Sequence, residues 1–143
     1  MGYYITLVES DWTLPKENYD AALGALQALN HKHQLKRGGR HPETDDPFES
    51  KWFSWMPPRY HEEVESPKEV FEMLGFDCHE NDDGLHLDHY DNKTGQEELF
   101  LAVVAPWVTD GSSLTFRGEE GEHFRYEYRD SKMTEKNAEL VWS

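Results

Sequence analysis

The positive charge of the chain is concentrated between His31 and His41. This run holds four Lys or Arg residues and three histidines, with no acidic residue among them. Such cations pair with phosphates or carboxylates, and the paired glycines would let the backbone approach a ligand closely. Because no Walker or dinucleotide-binding glycine pattern is present, a solvated loop that offsets nearby carboxylates is the alternative. The predicted ligand-binding residues are Lys36, Arg37, Gly38, Gly39 and Arg40.

The run from Leu85 to Asp91 is a second candidate for chemistry. His86 and Asp88 would share one face of a strand, and His79 would lie across a hairpin from them. Three such side chains can hold the metal ion of a hydrolase. Their spacing matches no metal-binding motif of known specificity, and His and Asp are ordinary on the wet face of a hairpin. We therefore expect no metal and no other cofactor, and keep a metal-dependent enzyme as an alternative.

Three glutamates, Glu119, Glu120 and Glu122, lie in a short loop bounded by glycines. A glycosidase carboxylate pair must lie in a cleft, whereas the tip of a hairpin is normally solvated. Ser112 and Ser113 also lack the glycine setting of a serine nucleophile. We therefore predict no catalytic residue, and we interpret the three glutamates as part of a partner-binding surface.

Trp52 and Trp55 belong to an aromatic segment that continues to Tyr60. Aromatic side chains and arginine dominate the hot spots of protein interfaces, so both tryptophans are predicted to contact a partner. The alternative is a core position, because about half of the residues in a strand face inward.

Net charge restricts the classes of partner. The 143 residues carry a formal charge of −15, which repels phosphate backbones and argues against direct nucleic-acid binding. The same charge favours a partner protein with a basic surface, although acidic surfaces also simply keep small proteins soluble. A single cysteine, Cys78, permits no intramolecular disulfide, and no segment reaches membrane-spanning length. We therefore expect a cytoplasmic protein that is not bound to a membrane.

Hydrophobic periodicity predicts the elements that position these residues. The predicted helices are Tyr19 to Asn30, a helix that begins at Ser66 and ends at Gly75, and the apolar run Leu99 to Ala105. The predicted strands before the last third of the chain are Tyr3 to Val8, Trp52 to Met56, Phe76 to Glu80 and Leu85 to Tyr90.

The last third of the chain alternates apolar and polar residues on both sides of the acidic loop. If Phe116 lies opposite Phe124, then Leu114 lies opposite Tyr126 and both pairs share a core face. The alternation resumes with Ala138, Leu140 and Trp142, which predicts a three-stranded meander.

We therefore predict one α+β domain over residues 1–143. It consists of a mostly antiparallel sheet with three helices packed on one face, a ferredoxin-like βαββαβ portion from Trp52 to Phe116 and the C-terminal meander.

The chain resembles small acidic proteins encoded by bacteriophages of actinobacteria and by related bacteria. The resemblance rests on Gly2-Tyr3-Tyr4-Ile5-Thr6-Leu7 with Pro15-Lys16-Glu17-Asn18, on Trp52-Phe53-Ser54-Trp55-Met56, on Thr94-Gly95-Gln96-Glu97-Glu98, and on Phe116 to Tyr126. These are structural signatures, so no functional residue is carried over. The resemblance implies an accessory phage protein that acts in the host cytoplasm.

The leading hypothesis is a non-enzymatic protein that binds a host protein, such as a defence nuclease, through its acidic surface and inhibits it. The first alternative is a protein that binds a nucleotide-like anion with residues 31–41. The second is a metal-dependent enzyme that uses His79, His86 and Asp88.

Overall fold

The computed structural model describes residues 3–39, 47–53, 56–93 and 96–137. The strands are β1 (Tyr4–Asp11), β2 (Thr13–Pro15), β3 (Gly38–Gly39), β4 (Lys51–Trp52), β5 (Asp77–Asn81), β6 (Gly84–His89), β7 (Asp91–Lys93), β8 (Ser113–Gly118), β9 (His123–Arg129) and β10 (Lys132–Asn137). The α-helices are α1 (Tyr19–Leu29), α2 (Pro47–Ser50), α3 (Tyr60–Glu63), α4 (Pro67–Leu74) and α5 (Glu97–Val103). All strand pairs in these residues are antiparallel, so the fold class is α+β, as predicted.

The C-terminal meander is confirmed and forms part of a five-stranded sheet in the order β10-β9-β8-β1-β7. Phe116 lies opposite Phe124 and Leu114 opposite Tyr126, which is the predicted register. Leu114, Phe116 and Tyr126 are buried, because alternate residues of these strands face the core. The predicted continuation at Ala138, Leu140 and Trp142 lies outside the described residues.

The predicted hairpin of β5 and β6 is also confirmed, and β2 adds to it as a third strand. Gly84 begins β6 with φ +136°, and a Cβ built there would lie 2.1 Å from the Leu14 carbonyl oxygen. Glycine is therefore required by both the backbone angle and the close approach of β2. In the turn, the Asp83 amide donates to Asn81 Oδ1 over 2.8 Å.

The ferredoxin-like order from Trp52 to Phe116 is not confirmed. Its strands are divided among three sheets: β4 pairs with β3, β5 and β6 pair with β2, and β8 pairs with β1 and β9. The physical reason is that β2 and β1, both from the N-terminal segment, occupy the edges that a ferredoxin-like sheet would use for its own strands.

The helices follow the predicted apolar faces. Ala22, Leu26 and Leu29 of α1 are buried, and α1 packs against α3, α4 and α5. The Ser66 hydroxyl accepts a hydrogen bond from the Glu69 amide over 3.3 Å and so caps α4. Gly75 ends that helix with φ +113°, as its position predicts.

The segment around Trp52 differs from its predicted strand. Only Lys51 and Trp52 form a described strand, Phe53 is fully buried, and Trp55 lies outside the described residues. The short helices α2 and α3 on either side were not predicted, because four residues are too few to show a helical period. Among the described residues, no helix has the length and apolar character needed to cross a membrane.

Candidate anion-binding site

The C-terminal end of α1 is joined to the start of α3 by one buried side chain, Asn30. Its Nδ2 donates to the Pro58 carbonyl oxygen over 3.0 Å and lies 2.7 Å from His61 Nδ1. Its Oδ1 is buried and has no hydrogen-bond partner among the described residues. Because Asn30 is fully buried, this contact fixes the position of the His61 ring relative to the loop that follows α1.

Gln96, at the N-terminal end of α5, holds the other end of the same loop. Its Nε2 donates to the Leu35 carbonyl oxygen over 2.5 Å, and its Oε1 accepts from the Arg37 amide over 3.0 Å. Gln96 is only 2% exposed, so these hydrogen bonds are shielded from water. The part of the basic run from His31 to Arg37 is therefore anchored at both ends.

A group of basic and aromatic side chains surrounds Phe48 of α2. The His31 and His33 ring centroids lie 5.2 and 4.7 Å from the Phe48 centroid, both edge to face. His61 stacks on the same ring at 4.8 Å, and Lys36 Nζ and the Arg59 guanidinium each lie 5.0 Å from its centroid. We call this group the cationic–aromatic cluster; its members are His31, His33, Lys36, Phe48, Arg59 and His61.

Lys36 is the most buried cation of the cluster, at 8% exposure. Its Nζ lies 3.0 Å from His33 Nδ1 and 5.7 Å from the Phe53 ring centroid. No carboxylate among the described residues is paired with it, and burial lowers the pKa of the Lys36 ammonium to about 8. Within the described ranges, the loss of hydration is therefore not offset by an opposite charge.

The pKa of His61 is lowered like that of Lys36. Burial lowers the pKa of the His61 imidazole, and the neighbouring cations His31, Arg59 and Lys36 lower it further. Glu62 opposes this effect, since its carboxylate lies 3.6 Å from His61 Nε2 and 3.3 Å from Arg59. The cluster thus brings like charges together, with one described carboxylate at its edge.

The structure brings together only part of the predicted ligand-binding set. Lys36 lies in the cluster, whereas Arg37 is exposed, and its charge acts to lower the pKa of Glu98, which burial raises overall. Gly38 and Gly39 form β3, where Gly38 pairs with Trp52, and Arg40 lies outside the described residues. Phe48, Arg59 and His61 were not predicted as ligand contacts, since they are separated from the basic run in sequence and only the fold joins them.

The predicted partner-binding glutamates are held against the first strand. Glu122 accepts a hydrogen bond from the Tyr3 hydroxyl, and Glu119 Oε1 accepts from the Tyr4 amide. The Tyr3 hydroxyl lowers the pKa of the Glu122 carboxyl. Glu120 is exposed, and Trp52 is half-buried on the separate β3–β4 pair. The acidic loop and Trp52 therefore belong to different sheets.

The histidines of the β5–β6 hairpin are joined to polar neighbours. His79 Nδ1 lies 2.6 Å from Asp88 Oδ2, and His86 contacts Asn81 Oδ1 at 3.0 Å through Nε2. The two imidazole rings stack at 4.8 Å beside an open cleft of about 480 Å³. In the part of the chain that the structure describes, no three His, Cys, Asp or Glu side chains are placed to hold a metal ion.

Comparison with protein-family models, with curated proteins and with solved structures gives no match. The case for a function therefore depends on local geometry, and the resemblance to phage proteins stays a prediction. In the cationic–aromatic cluster, basic and aromatic side chains from the loop after α1, from α2 and from the start of α3 meet.

Proposed function

We propose that this protein binds a small anion that carries a planar ring, such as a nucleotide, at the cationic–aromatic cluster. The observation that carries the proposal is the convergence of three imidazoles, an ammonium and a guanidinium within about 5 Å of a single ring, Phe48. These side chains come from the loop after α1 and from the residues that begin α3.

The charges of the cluster suit an anion. Loss of hydration on burial lowers the pKa values of Lys36 and His61, and repulsion by nearby cations lowers the pKa of His61 further. An anion placed beside them would offset these costs, because an opposite charge stabilises the protonated forms. The net charge of the whole chain, −15, repels anions at a distance, so recognition has to come from these short contacts.

The aromatic part of the cluster suits a planar ring. His31 is exposed and meets Phe48 edge to face, which leaves imidazole surface available to a stacked ligand. Flat nucleobases stack on aromatic and guanidinium surfaces in a way that tolerates different bases. We therefore expect the phosphate to supply most of the affinity and the base to add a smaller part.

The test is isothermal titration with adenosine monophosphate, ribose 5-phosphate and inorganic phosphate at about pH 6 and about pH 7.5. We expect binding to strengthen at the lower pH, because His61 must take up a proton to pair with the anion. The double variant His31→Gln, Arg59→Gln should bind about tenfold less tightly, which corresponds to about 1.4 kcal/mol.

The matched control is the double variant His89→Gln, Arg129→Gln, which removes the same residue types at exposed positions on β6 and β9. It should bind like the wild type. Equal binding by both double variants, or no saturable binding by the wild type, would contradict the proposal.

A second function is favoured by the acidic loop, whose carboxylates are held in place before any partner arrives. The bonds from Tyr3 to Glu122 and from the Tyr4 amide to Glu119 reduce the side-chain freedom that a partner would otherwise have to remove. We propose that this loop contacts a protein with a basic surface, and the resemblance to phage proteins points to a host protein and to its inhibition.

This second function predicts salt-sensitive binding to an immobilised Arg- and Lys-rich peptide. Glu119→Gln, Glu120→Gln, Glu122→Gln together should weaken that binding, whereas Asp82→Asn, Asp83→Asn, Glu80→Gln on the β5–β6 turn should not. If both triple variants lose affinity equally, net charge rather than this loop is responsible, and the assignment to the loop is wrong.

A further inference from the structure

Lys36 has a role beyond the electrostatic one given above, and it rests on the proposed anion site. The geometry points to Lys36 Nζ as a nucleophile that forms an imine with the carbonyl group of an anionic aldehyde or 2-oxo acid. In this interpretation the cations of the cluster hold the carboxylate or phosphate of the ligand, and the ligand's carbonyl carbon reaches Nζ.

The first support is the position of the amine. Nζ lies 5.0 Å from the Phe48 centroid and 5.7 Å from the Phe53 centroid, and the lysine is 8% exposed. Phe53 is fully buried, so one wall of this environment belongs to the core. An amine removed from water in this way keeps a larger neutral fraction, and only the neutral amine attacks a carbonyl. The lowered pKa of Lys36, about 8, agrees with that argument.

The second support is the base beside the amine. His33 Nδ1 lies 3.0 Å from Nζ, within the range in which a proton moves directly between two groups. Attack by the Nζ lone pair forms a C–N bond, and the carbonyl oxygen becomes a hydroxyl. Two protons leave Nζ and one water leaves the carbinolamine, so the aldehyde and the amine give an imine and water. His33 can carry the proton from Nζ to the departing hydroxyl.

The third support is the contrast with Lys32, four residues earlier in the same loop. Lys32 is exposed, and no imidazole contact is found for it in the described residues. The two lysines therefore provide a comparison within one molecule. Selective reaction at Lys36 would be due to its environment, since the amine chemistry is the same at both.

The test is reductive trapping with glyoxylate and cyanoborohydride from about pH 6 to about pH 10, followed by peptide mapping of the carboxymethylated lysines. We expect modification at Lys36 at least about tenfold faster than at Lys32 at neutral pH, with a rate that levels off near pH 8. Excess adenosine monophosphate should protect Lys36 and leave Lys32 unaffected. His33→Gln should slow the reaction of Lys36 and keep its selectivity.

Three outcomes would overturn the inference: modification of Lys36 no faster than of Lys32, a Lys36 rate that keeps rising to about pH 10, or no change in rate with His33→Gln. Failure of the proposed anion site is separable, because titration with adenosine monophosphate needs no amine chemistry. Anion binding without selective trapping rejects the imine alone. A Lys36→Met variant that shows no adduct in that peptide, while Lys32 still reacts, confirms that trapping reports Lys36.

Discussion

The molecule contains two groups of histidines with opposite surroundings. In the hairpin of β5 and β6, His79 is paired with Asp88 at 2.6 Å, and both side chains are open to solvent. In the cationic–aromatic cluster, His61 is partly buried beside Lys36 and Arg59, and its pKa is lowered. The difference shows that the fold, and not the residue type, decides the electrostatic surroundings of a histidine. The hairpin places a carboxylate directly against His79, whereas His61 lies among cations with the Glu62 carboxylate at the edge of the cluster.

The two groups also depend on different scaffolds. The hairpin histidines lie on paired strands, with His79 opposite His86 across β5 and β6. The cluster is placed by side chains, because Asn30 and Gln96 tie irregular segments to α1 and α5. Perturbing the backbone should therefore affect the hairpin, and perturbing a buried side chain should affect the cluster.

The largest effect is expected from Gly84→Ala. The new Cβ would lie 2.1 Å from the Leu14 carbonyl oxygen at a φ of +136°, so β2 and β6 must separate. We expect a loss of about 3 kcal/mol in the free energy of unfolding, measured by urea denaturation. Gly24→Ala on α1, where no atom beyond the chain neighbours and the helix's own backbone lies within 4 Å of the added Cβ, is the control and should be neutral or stabilising. A loss below about 1 kcal/mol for Gly84→Ala would mean that the paired geometry is wrong.

The next effect is expected from Asn30→Asp, which places a carboxylate against His61 Nδ1, as Asp88 lies against His79 Nδ1 in the hairpin. The variant loses the donor to the Pro58 carbonyl oxygen and buries a charge next to His61, so the unfolding free energy should fall by about 2 kcal/mol at about pH 8.

The pH dependence of the unfolding free energy should differ between the wild type and the Asn30→Asp variant. In the wild type the folded pKa of His61 is below its usual 6.5, so its contribution to stability is lost as pH falls through that range. In Asn30→Asp the new carboxylate raises the folded pKa of His61, so stability is gained at low pH and lost as pH rises through the raised value. Melting curves recorded across this pH range measure the stability, and an NMR titration measures the pKa of His61. Asn30→Ala, which removes the amide without adding charge, should show no such gain at low pH.

A smaller effect of the opposite sign is expected from Lys36→Met. The folded pKa of Lys36, about 8, is below its usual 10.5, so the buried ammonium destabilises the fold at neutral pH. Removing it should raise the unfolding free energy by about 1 kcal/mol at about pH 7. The gain should shrink as pH rises from about 8 to 10.5, where the folded state loses its proton before the unfolded state does.

Lys132→Met, at the exposed lysine that begins β10, controls for the loss of one charge. An equal change in both variants across the pH range would show that net charge, and not burial of Lys36, is responsible.

Local patterns predicted much of the fold but little of the candidate site. The register of Phe116 and Phe124, the Ser66 cap and the Gly75 stop each depend on neighbours in sequence, and all three are confirmed. The cluster depends on contacts such as Phe48 with His33 and His61, which are long-range in the chain and contain no periodic signal. The basic run gave Lys36, but only the fold could show that His61 and Arg59 join it.

The sequence also did not predict that β2 joins the β5–β6 hairpin, because that contact too is long-range in the chain. Each strand of the β5–β6 hairpin was predictable from Asn81 to Gly84 and the flanking apolar residues. The third strand of this sheet, β2, is only three residues long and contains Pro15, so its sequence shows no strand pattern. Leu14 nevertheless lies fully buried opposite Leu85, so core packing selected this edge strand where local propensity did not.

The smallest effect is expected from Asp88→Asn, which removes the counter-charge from the hairpin. The His79 and Asp88 side chains are 52% and 34% exposed, so water and salt screen the ion pair. We expect a loss of about 0.5 kcal/mol at low ionic strength and none at high salt. Nucleotide binding at the cluster should be unchanged. A loss above about 2 kcal/mol would show that the hairpin, like the cluster, depends on a side-chain contact, and the contrast between the two histidine groups would fail.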